Sequence, residues 1–351
     1  MKTLHAGLAF GAGFFLLSAA TAAPKAEPLF VCEASCRIVS HAMASHPQLR
    51  PLATYPSDLR DAGVEGFVKL AYDVQPDGHA SNIVVMTRLG PPAFSDASIG
   101  ALKEEVFAPA RDDGVPVLSR GLLRVDAFDI GQPPAHAAFA AEYARAQKLI
   151  AEDKAAEAIT AMKAVLNLPA VSLYEAAGAE DLLAVAYLQL RDGEHALQAI
   201  NEAEVLALNS SVSDALKHAI HRAHVAAAEM THHYREALDL RAPLTVPDGL
   251  LPADEETFAR LQAIVDGGTP FTVHGTVPDD GTTLWTYDLA HAAFSIANVG
   301  GALSRYDVYC ANTSHESPSG GPAQARLPPG WSKCRLIVFG TPGTTFDITD
   351  G

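Results

Sequence analysis

Residues 66–90 read GFVKLAYDVQPDGHASNIVVMTRLG, and their period decides the fold around them. Val68, Leu70, Tyr72 and Val74 are apolar at alternate positions, with Lys69 and Asp73 on the other face. That is the pattern of a half-buried strand. Pro76-Asp77-Gly78 then supplies a turn, because proline presets φ and glycine accepts the positive φ of a tight hairpin. A second strand follows through Ile83, Val84 and Val85, and Pro91-Pro92 ends it. Further along, Ser95 is placed to cap a helix running to about Val106, with Ala97, Ala101, Leu102 and Val106 as its inner stripe. Asp112-Asp113-Gly114 turns the chain into a last strand near 119–128, where Leu123, Val125 and Ala127 alternate. The expected order is strand, strand, helix, strand.

Residues 136–265 change to a helical period. Ala155–Ala158–Ile159, Ala196–Leu197–Ile200 and Ala237–Leu238 recur in one hairpin register. The steps from Ala158 to Ala196 and from Ala196 to Ala237 are 38 and 41 residues, a period that signals stacked helical pairs. Pro243, Pro247 and Pro252 mark a linker, a further helix is expected at about 254–265, and Gly267-Gly268 ends it. The remainder is strand-rich, with candidates at 270–277, 282–288, 302–310, 334–340 and 344–348. The Ser-, Gly- and Pro-rich stretch 312–330 reads as a long exposed loop. The fold class is therefore α+β and multidomain. It comprises an N-terminal segment (23–49), a ββαβ module (50–131), an array of α-helical hairpins (136–242), a linker and helix (243–268), and a small C-terminal β-domain (269–351).

Residues 1–22 are expected to be a signal peptide. Lys2 gives a weakly basic start, residues 4–19 are apolar or small, and Ala20-Thr21-Ala22 is the pattern a signal peptidase reads. Cleavage after Ala22 leads to the periplasm. An uncleaved signal-anchor is the competing reading, and only that would bring the chain to a membrane. The formal charge of −16 becomes one unit more negative once Lys2 is lost. Such a surface repels nucleic acid, whose phosphates need clustered Lys and Arg. An exported chain with four cysteines suggests disulfides, and proximity favours Cys32–Cys36 and Cys310–Cys334 over the other connectivities.

The residues of the first module carry a resemblance. Tyr55-Pro56, Leu59-Arg60, Gly63, Gly66, Val68, Asp77-Gly78, Phe107, Pro109-Ala110, Gly114 and Phe128 resemble, in order and spacing, the C-terminal domain of TonB energy transducers. The stretch Leu183-Ala184-x-Ala186-Tyr187-x-x-Leu190-x-x-Gly193-x-x-x-Ala196-Leu197 resembles a tetratricopeptide repeat. TonB C-terminal domains bind an extended segment of outer-membrane transporters by strand addition at an exposed sheet edge. The resemblance implies that the strand near 119–128 is the docking edge, with Arg120, Leu122, Leu123, Arg124, Val125 and Asp126 as its residues. Arg120 and Arg124 would attract an acidic peptide, or would discourage aggregation as edge charges.

No catalytic constellation is visible. There is no Gly-x-Ser-x-Gly elbow, no His-Glu-x-x-His and no Gly-x-x-x-x-Gly-Lys. His218, His221 and His224 recur at three-residue steps that drift around a helix, so one ion would need a further ligand such as Glu229 or His232. A solvated histidine-rich face is the expectation, with no metal and no cofactor. Cys32-x-x-x-Cys36 lacks the spacing and helix-start setting of a redox pair and reads as structural. Trp285, Trp331 and the stretch 312–330 offer a cleft if the β-domain hides an enzyme. The sequence as a whole reads as a non-catalytic, protein-binding adaptor of the periplasm, with an anchored TonB-type transducer as the alternative.

Overall fold

A computed structural model describes residues 37–39, 45–112, 114–131, 136–168, 171–210, 212–245, 250–279, 284–310, 313–316 and 323–351. The expected signal peptide and the Cys32–Cys36 pair lie outside the described residues.

The chain begins with two short strands, β1 (Arg37–Val39) and β2 (His46–Leu49), and one helical turn, α1 (Ser57–Asp61). The long hairpin follows as β3 (Gly66–Val74) and β4 (Ala80–Leu89), then α2 (Pro92–Glu104). Three short strands, β5 (Val106–Ala108), β6 (Ala110–Asp112) and β7 (Val115–Val117), lead to the long β8 (Ser119–Phe128). β4, β3 and β8 form an antiparallel sheet in that order, so β3 is central and β8 lies at an edge.

Helix α2 starts at Pro92, with Pro91 at its N-cap. Ser95 is therefore inside the helix and buried, not capping it as the sequence suggested. Proline at the first position fixes a helical φ and has no N–H to leave unpaired, which outweighs a serine three residues later. Val68, Leu70, Tyr72 and Val74 face α2 in a core with Phe94, Leu102, Phe107 and Phe128. The stacked Phe94 and Phe128 rings (centroids 4.4 Å apart) and the edge-on Tyr55 ring close that core.

The second face of β3 is also covered. Phe67 belongs to the core of the helical array, and Leu89, Val125 and Ala127 pack on the same core. The alternation that suggests one solvated face marks a boundary between two packed layers instead. Lys69 reaches Glu202 of the array at 3.1 Å, and Thr87 Oγ1 donates to the same carboxylate at 3.2 Å. The charge at position 69 thus has a partner instead of solvent.

The array comprises α3 (Ala137–Ala151), α4 (Ala155–Leu166), α5 (Leu173–Gln189), α6 (Gly193–Leu208), α7 (Asp214–Met230), α8 (Tyr234–Asp239), α9 (Arg241–Leu244) and α10 (Pro252–Asp266). Helices α3 to α8 each pack on the next, and α5 also touches α3 and α7. The turns α3–α4, α5–α6 and α7–α8 are built alike. Asp153, Arg191 and His232 have φ of 59, 61 and 63°. In each turn the following N–H (Lys154, Asp192, His233) bonds back to Leu149, Tyr187 or Ala228. That is the Schellman arrangement, with a left-handed residue just past the helix end. Ala158, Ala196 and Ala237 stand at one position relative to these turns, and all three are fully buried. A side chain larger than a methyl there would separate the paired helices.

The C-terminal region adds β9 (Phe271–Thr276), β10 (Leu284–Asp288), β11 (Ala293–Gly300), β12 (Leu303–Cys310), β13 (Thr313–Glu316), β14 (Ala323–Arg326), β15 (Arg335–Gly340) and β16 (Thr345–Asp350). One sheet has the order β1-β13-β12-β15-β10 and the other β14-β11-β16-β9. Both contribute to a core of Val273, Tyr287, Phe294, Ile296, Val308, Leu336, Val338, Phe346 and Ile348. Two expectations are corrected. The stretch 312–330 contains strands β13 and β14, and β11 was not anticipated. The inward positions Phe294 and Ile296 decide β11, but polar or small residues between and after them (Ser295, Ala297, Asn298) mask it in the sequence. The N-terminal segment contributes β1 to the edge of this distant sheet, which no local pattern encodes. Cys310 and Cys334 form a disulfide from the end of β12 to the start of β15.

Candidate peptide-binding edge

β8 pairs with β3 from Gly66↔Phe128 to Val74↔Ser119, with an irregularity between Tyr72 and Val74. Gly121 makes that irregularity possible: its φ is +65°, and its N–H donates to Asp73 Oδ1 at 3.0 Å. Residues paired across a sheet share a face. Leu122, Arg124 and Asp126 therefore lie on the α2 side with Tyr72, Leu70 and Val68. Leu123, Val125 and Ala127 lie on the array side.

The six expected edge residues have unlike environments. Leu123 is 57% exposed, and Arg120 is exposed with no ion-pair partner among the described residues. Val125 packs on the array core and Leu122 on the α2 core. Arg124 is only 3% exposed. Its Nε and Nη2 donate to Asp126, Nη1 donates to Glu105, and Nη2 also reaches the Pro51 carbonyl at 2.9 Å. Burial opposes its charge, but Asp126 and Glu105 overcome that and raise its pKa further. Asp126 is thereby engaged as well. Arg124 is a buried structural cation, whereas Arg120 is the charge available at this edge.

The other edge strand, β4, is less regular. Its pairing with β3 shifts twice, and Asn82 adopts φ of 49°. β8 offers the longer even run from Leu122 to Phe128.

Glu65 ties this sheet to the array, and nothing in the sequence marks it. It sits just before β3, buried, and its carboxylate accepts from the N–H groups of Leu173 (2.8 Å) and Ile130 (3.3 Å). Leu173 is the first residue of α5, so Glu65 caps that helix from another module. Burial raises the Glu65 pKa, partly offset by those two donors.

The histidine series lies elsewhere. His224 is buried, with Nδ1 2.7 Å from Glu204 and Nε2 2.9 Å from Glu236. Burial opposes its protonation, but the two carboxylates prevail and raise its pKa to about 9. An imidazolium with both nitrogens donating has no lone pair for a metal. His221 lies 3.9 Å from Glu204, and burial lowers its pKa. Among the described residues no group of three or more His, Cys, Asp or Glu side chains has the geometry to hold a metal. Trp285 and Trp331 pack on the sandwich core, and Trp285 stacks on Tyr287.

Residues 51–126 match the family described as Gram-negative bacterial TonB protein C-terminal. The matched segment runs from the chain before α1 to the last third of β8, and so contains the hairpin, α2 and most of the edge. A solution NMR structure of the Pseudomonas aeruginosa TonB C-terminal domain is similar at 23% identity, over 27% of this chain and 100% of that chain, with a TM-score of 0.24. No curated protein matches the chain. The TonB-like module is a minority of the molecule, and the helical and C-terminal β regions lie outside the match. No described helix is long and apolar enough to cross a membrane.

Proposed function

We propose that this chain is a non-catalytic protein-binding adaptor of the periplasm, exported by a signal peptide cleaved near Ala22. Its TonB C-terminal-like module captures an extended segment of an envelope protein, with outer-membrane transport as the process it serves. The observation that carries this reading is β8. It is an edge strand of a sheet whose two faces are both packed, within a TonB-family module. Where both faces are covered, unpaired main-chain groups at an edge remain the means of adding a partner.

The helical array serves in this reading as a tetratricopeptide-like scaffold, a second protein-binding surface that also supports the sheet. The repeated left-handed turns at Asp153, Arg191 and His232 and the buried alanines behind them favour it. The test is a photoreactive residue at Leu123 in the living cell, with captured proteins identified by mass. Capture of a defined segment of an outer-membrane transporter supports the reading. Absence of any capture at Leu123, with the protein present and folded, refutes strand addition at β8.

A further inference from the structure

Around Asp73 the TonB-like sheet is interrupted on both sides. Towards β8, Tyr72 pairs with Leu122 and Val74 with Ser119, so Asp73 alone faces Arg120 and Gly121. Towards β4, Ala71 pairs with Val84 and Asp73 with Ser81, so Tyr72 alone faces Asn82 and Ile83. Each interruption contains a left-handed residue, Gly121 (φ 65°) and Asn82 (φ 49°). Two-against-one bulges bend a strand and re-aim its side chains, and they gather beside functional sites. Here they border a cleft of about 390 Å³ that lies on the sheet face, with Ala71 and Val84 in its lining. Leu284 and Phe339 supply the wall that belongs to the C-terminal β-domain. Leu284 packs so closely on the β8 bulge that a Cβ at Gly121 would lie 2.6 Å from its Cδ2.

The charged residues of the lining are Asp73 and Arg120, of opposite sign. The two bulges hold Asp73 in place, since the Gly121 N–H donates to its Oδ1 at 3.0 Å and Asn82 Nδ2 donates to its Oδ2 at 2.8 Å. Both donors are neutral. The carboxylate is therefore fixed without its charge being cancelled, and each oxygen keeps a further acceptor site. Arg120 has no ion-pair partner among the described residues, and it does not pair with Asp73. An uncompensated anion and an uncompensated cation thus share one space with an aliphatic and aromatic wall.

We infer that this cleft is a binding site for a small apolar zwitterion of the α-amino-acid class. Asp73 receives the ammonium group, Arg120 receives the carboxylate, and Ala71, Val84, Leu284 and Phe339 receive the apolar side chain. A simple anion would satisfy Arg120 but sit in one small space with the Asp73 charge, and a simple cation would have the reverse difficulty. The volume lies at the small end of ligand sites, which run from about 300 to 1,000 Å³ and favour the boundaries between domains. It suits a single amino acid or a dipeptide, which present the same two charged ends. The site is on the sheet face and uses nothing of the outer edge of β8, so it is independent of strand addition there.

The experiment titrates the full chain by calorimetry with three matched probes. These are phenylalanine, 3-phenylpropionate, which lacks the ammonium group, and phenethylamine, which lacks the carboxylate. Phenylalanine should bind about fivefold tighter than either, the scale of one partly exposed charge pair. Asp73→Asn, which keeps an acceptor for the Gly121 N–H, should remove the advantage over 3-phenylpropionate. Arg120→Gln should remove the advantage over phenethylamine. Leu284→Trp fills the cleft from the C-terminal domain and should weaken all three probes, with hydrogen-exchange protection of β3 and β10 retained. Tighter binding of phenylalanyl-phenylalanine than of phenylalanine assigns the site to dipeptides, and weaker binding assigns it to single amino acids. The shared chemistry stands in both cases. Equal binding of the three probes overturns the inference. So does 3-phenylpropionate matching phenylalanine while Asp73→Asn has no effect, which leaves a site for anions alone. Absence of binding by all three at about 10 mM, with exchange protection intact, overturns it as well. Crosslinking from Leu123 reports on strand addition separately and is unaffected by any of these results.

Discussion

Arg124→Ala separates the two arginines of β8 more sharply than any other change. Arg124 holds two carboxylates, Glu105 and Asp126, with side-chain exposures of 2% for Arg124, 3% for Glu105 and 11% for Asp126. Removing it strands Glu105 without a counter-charge, and breaking a buried pair from one side costs about 3–5 kcal/mol. The assay is urea unfolding of the full chain, read by hydrogen exchange in β3 and β8. A global midpoint is not well defined in a multidomain chain. The double variant Arg124→Met/Glu105→Gln, which removes both charges, should recover most of the loss. Arg120→Ala, at an exposed site, should change stability by less than about 0.5 kcal/mol. If Arg124→Ala loses less than about 1 kcal/mol at neutral pH, or if the double variant is no better than the single, the buried network does not hold the strand as argued.

Three further outcomes follow from local geometry. His224, with a pKa raised to about 9 by Glu204 and Glu236, contributes stability that is full below its unfolded value of 6.5 and lost as pH rises through 9. That contribution is roughly 3 kcal/mol, so exchange protection of α7 and α8 should fall between pH 7 and pH 9.5 in the native chain and not in His224→Gln. Arg191 holds a left-handed conformation that glycine adopts without strain, so Arg191→Gly should stabilise the α5–α6 hairpin by about 1 kcal/mol in urea unfolding, and destabilisation would contradict the observed turn. Reduction of Cys310–Cys334, which closes a loop of 24 residues, should cost the β-domain roughly 3 kcal/mol, seen as lower hydrogen-exchange protection of β12 and β15 in the presence of a reductant.

What the residue pattern conveys depends on how local its cause is. The hairpin at 66–89 and the strand at 119–128 follow from period two and the Pro-Asp-Gly turn. Both are settled within a few residues. The register of Ala158, Ala196 and Ala237 is likewise legible, because close helix approach demands a small residue at each crossing. Three features were not legible. The left-handed turns carry Asp153, Arg191 and His232 where glycine is the usual signal, so nothing in the residue type announces them. The pairing of β1 with β13 joins residues at opposite ends of the chain. The different fates of Arg120 and Arg124 depend on side-chain direction relative to Glu105, which lies on another element and is set only once the sheet and α2 have packed. For the candidate site, then, the strand was readable and the assignment of its charges was not.

Two-sided burial of the TonB-like sheet narrows how a partner can be held. A partner docking on a sheet face would have to displace either α2, with Phe94 and Leu102 fully buried, or the array contact around Phe67 and the Lys69–Glu202 pair. Each buried aromatic or aliphatic side chain so exposed costs about 1.5–3 kcal/mol, a penalty that strand addition avoids. The same packing gives the edge a rigid backing. Glu65 joins the start of β3 to the first turn of α5, and Glu202 joins β3 and β4 to α6. A strand added to β8 would meet a sheet whose position is already fixed, so little ordering remains to oppose binding. If instead the array merely accompanied the module, cutting these ties with Glu65→Ala and Glu202→Ala would leave peptide affinity at β8 unchanged. If the backing matters as argued, affinity should fall although neither residue touches the edge.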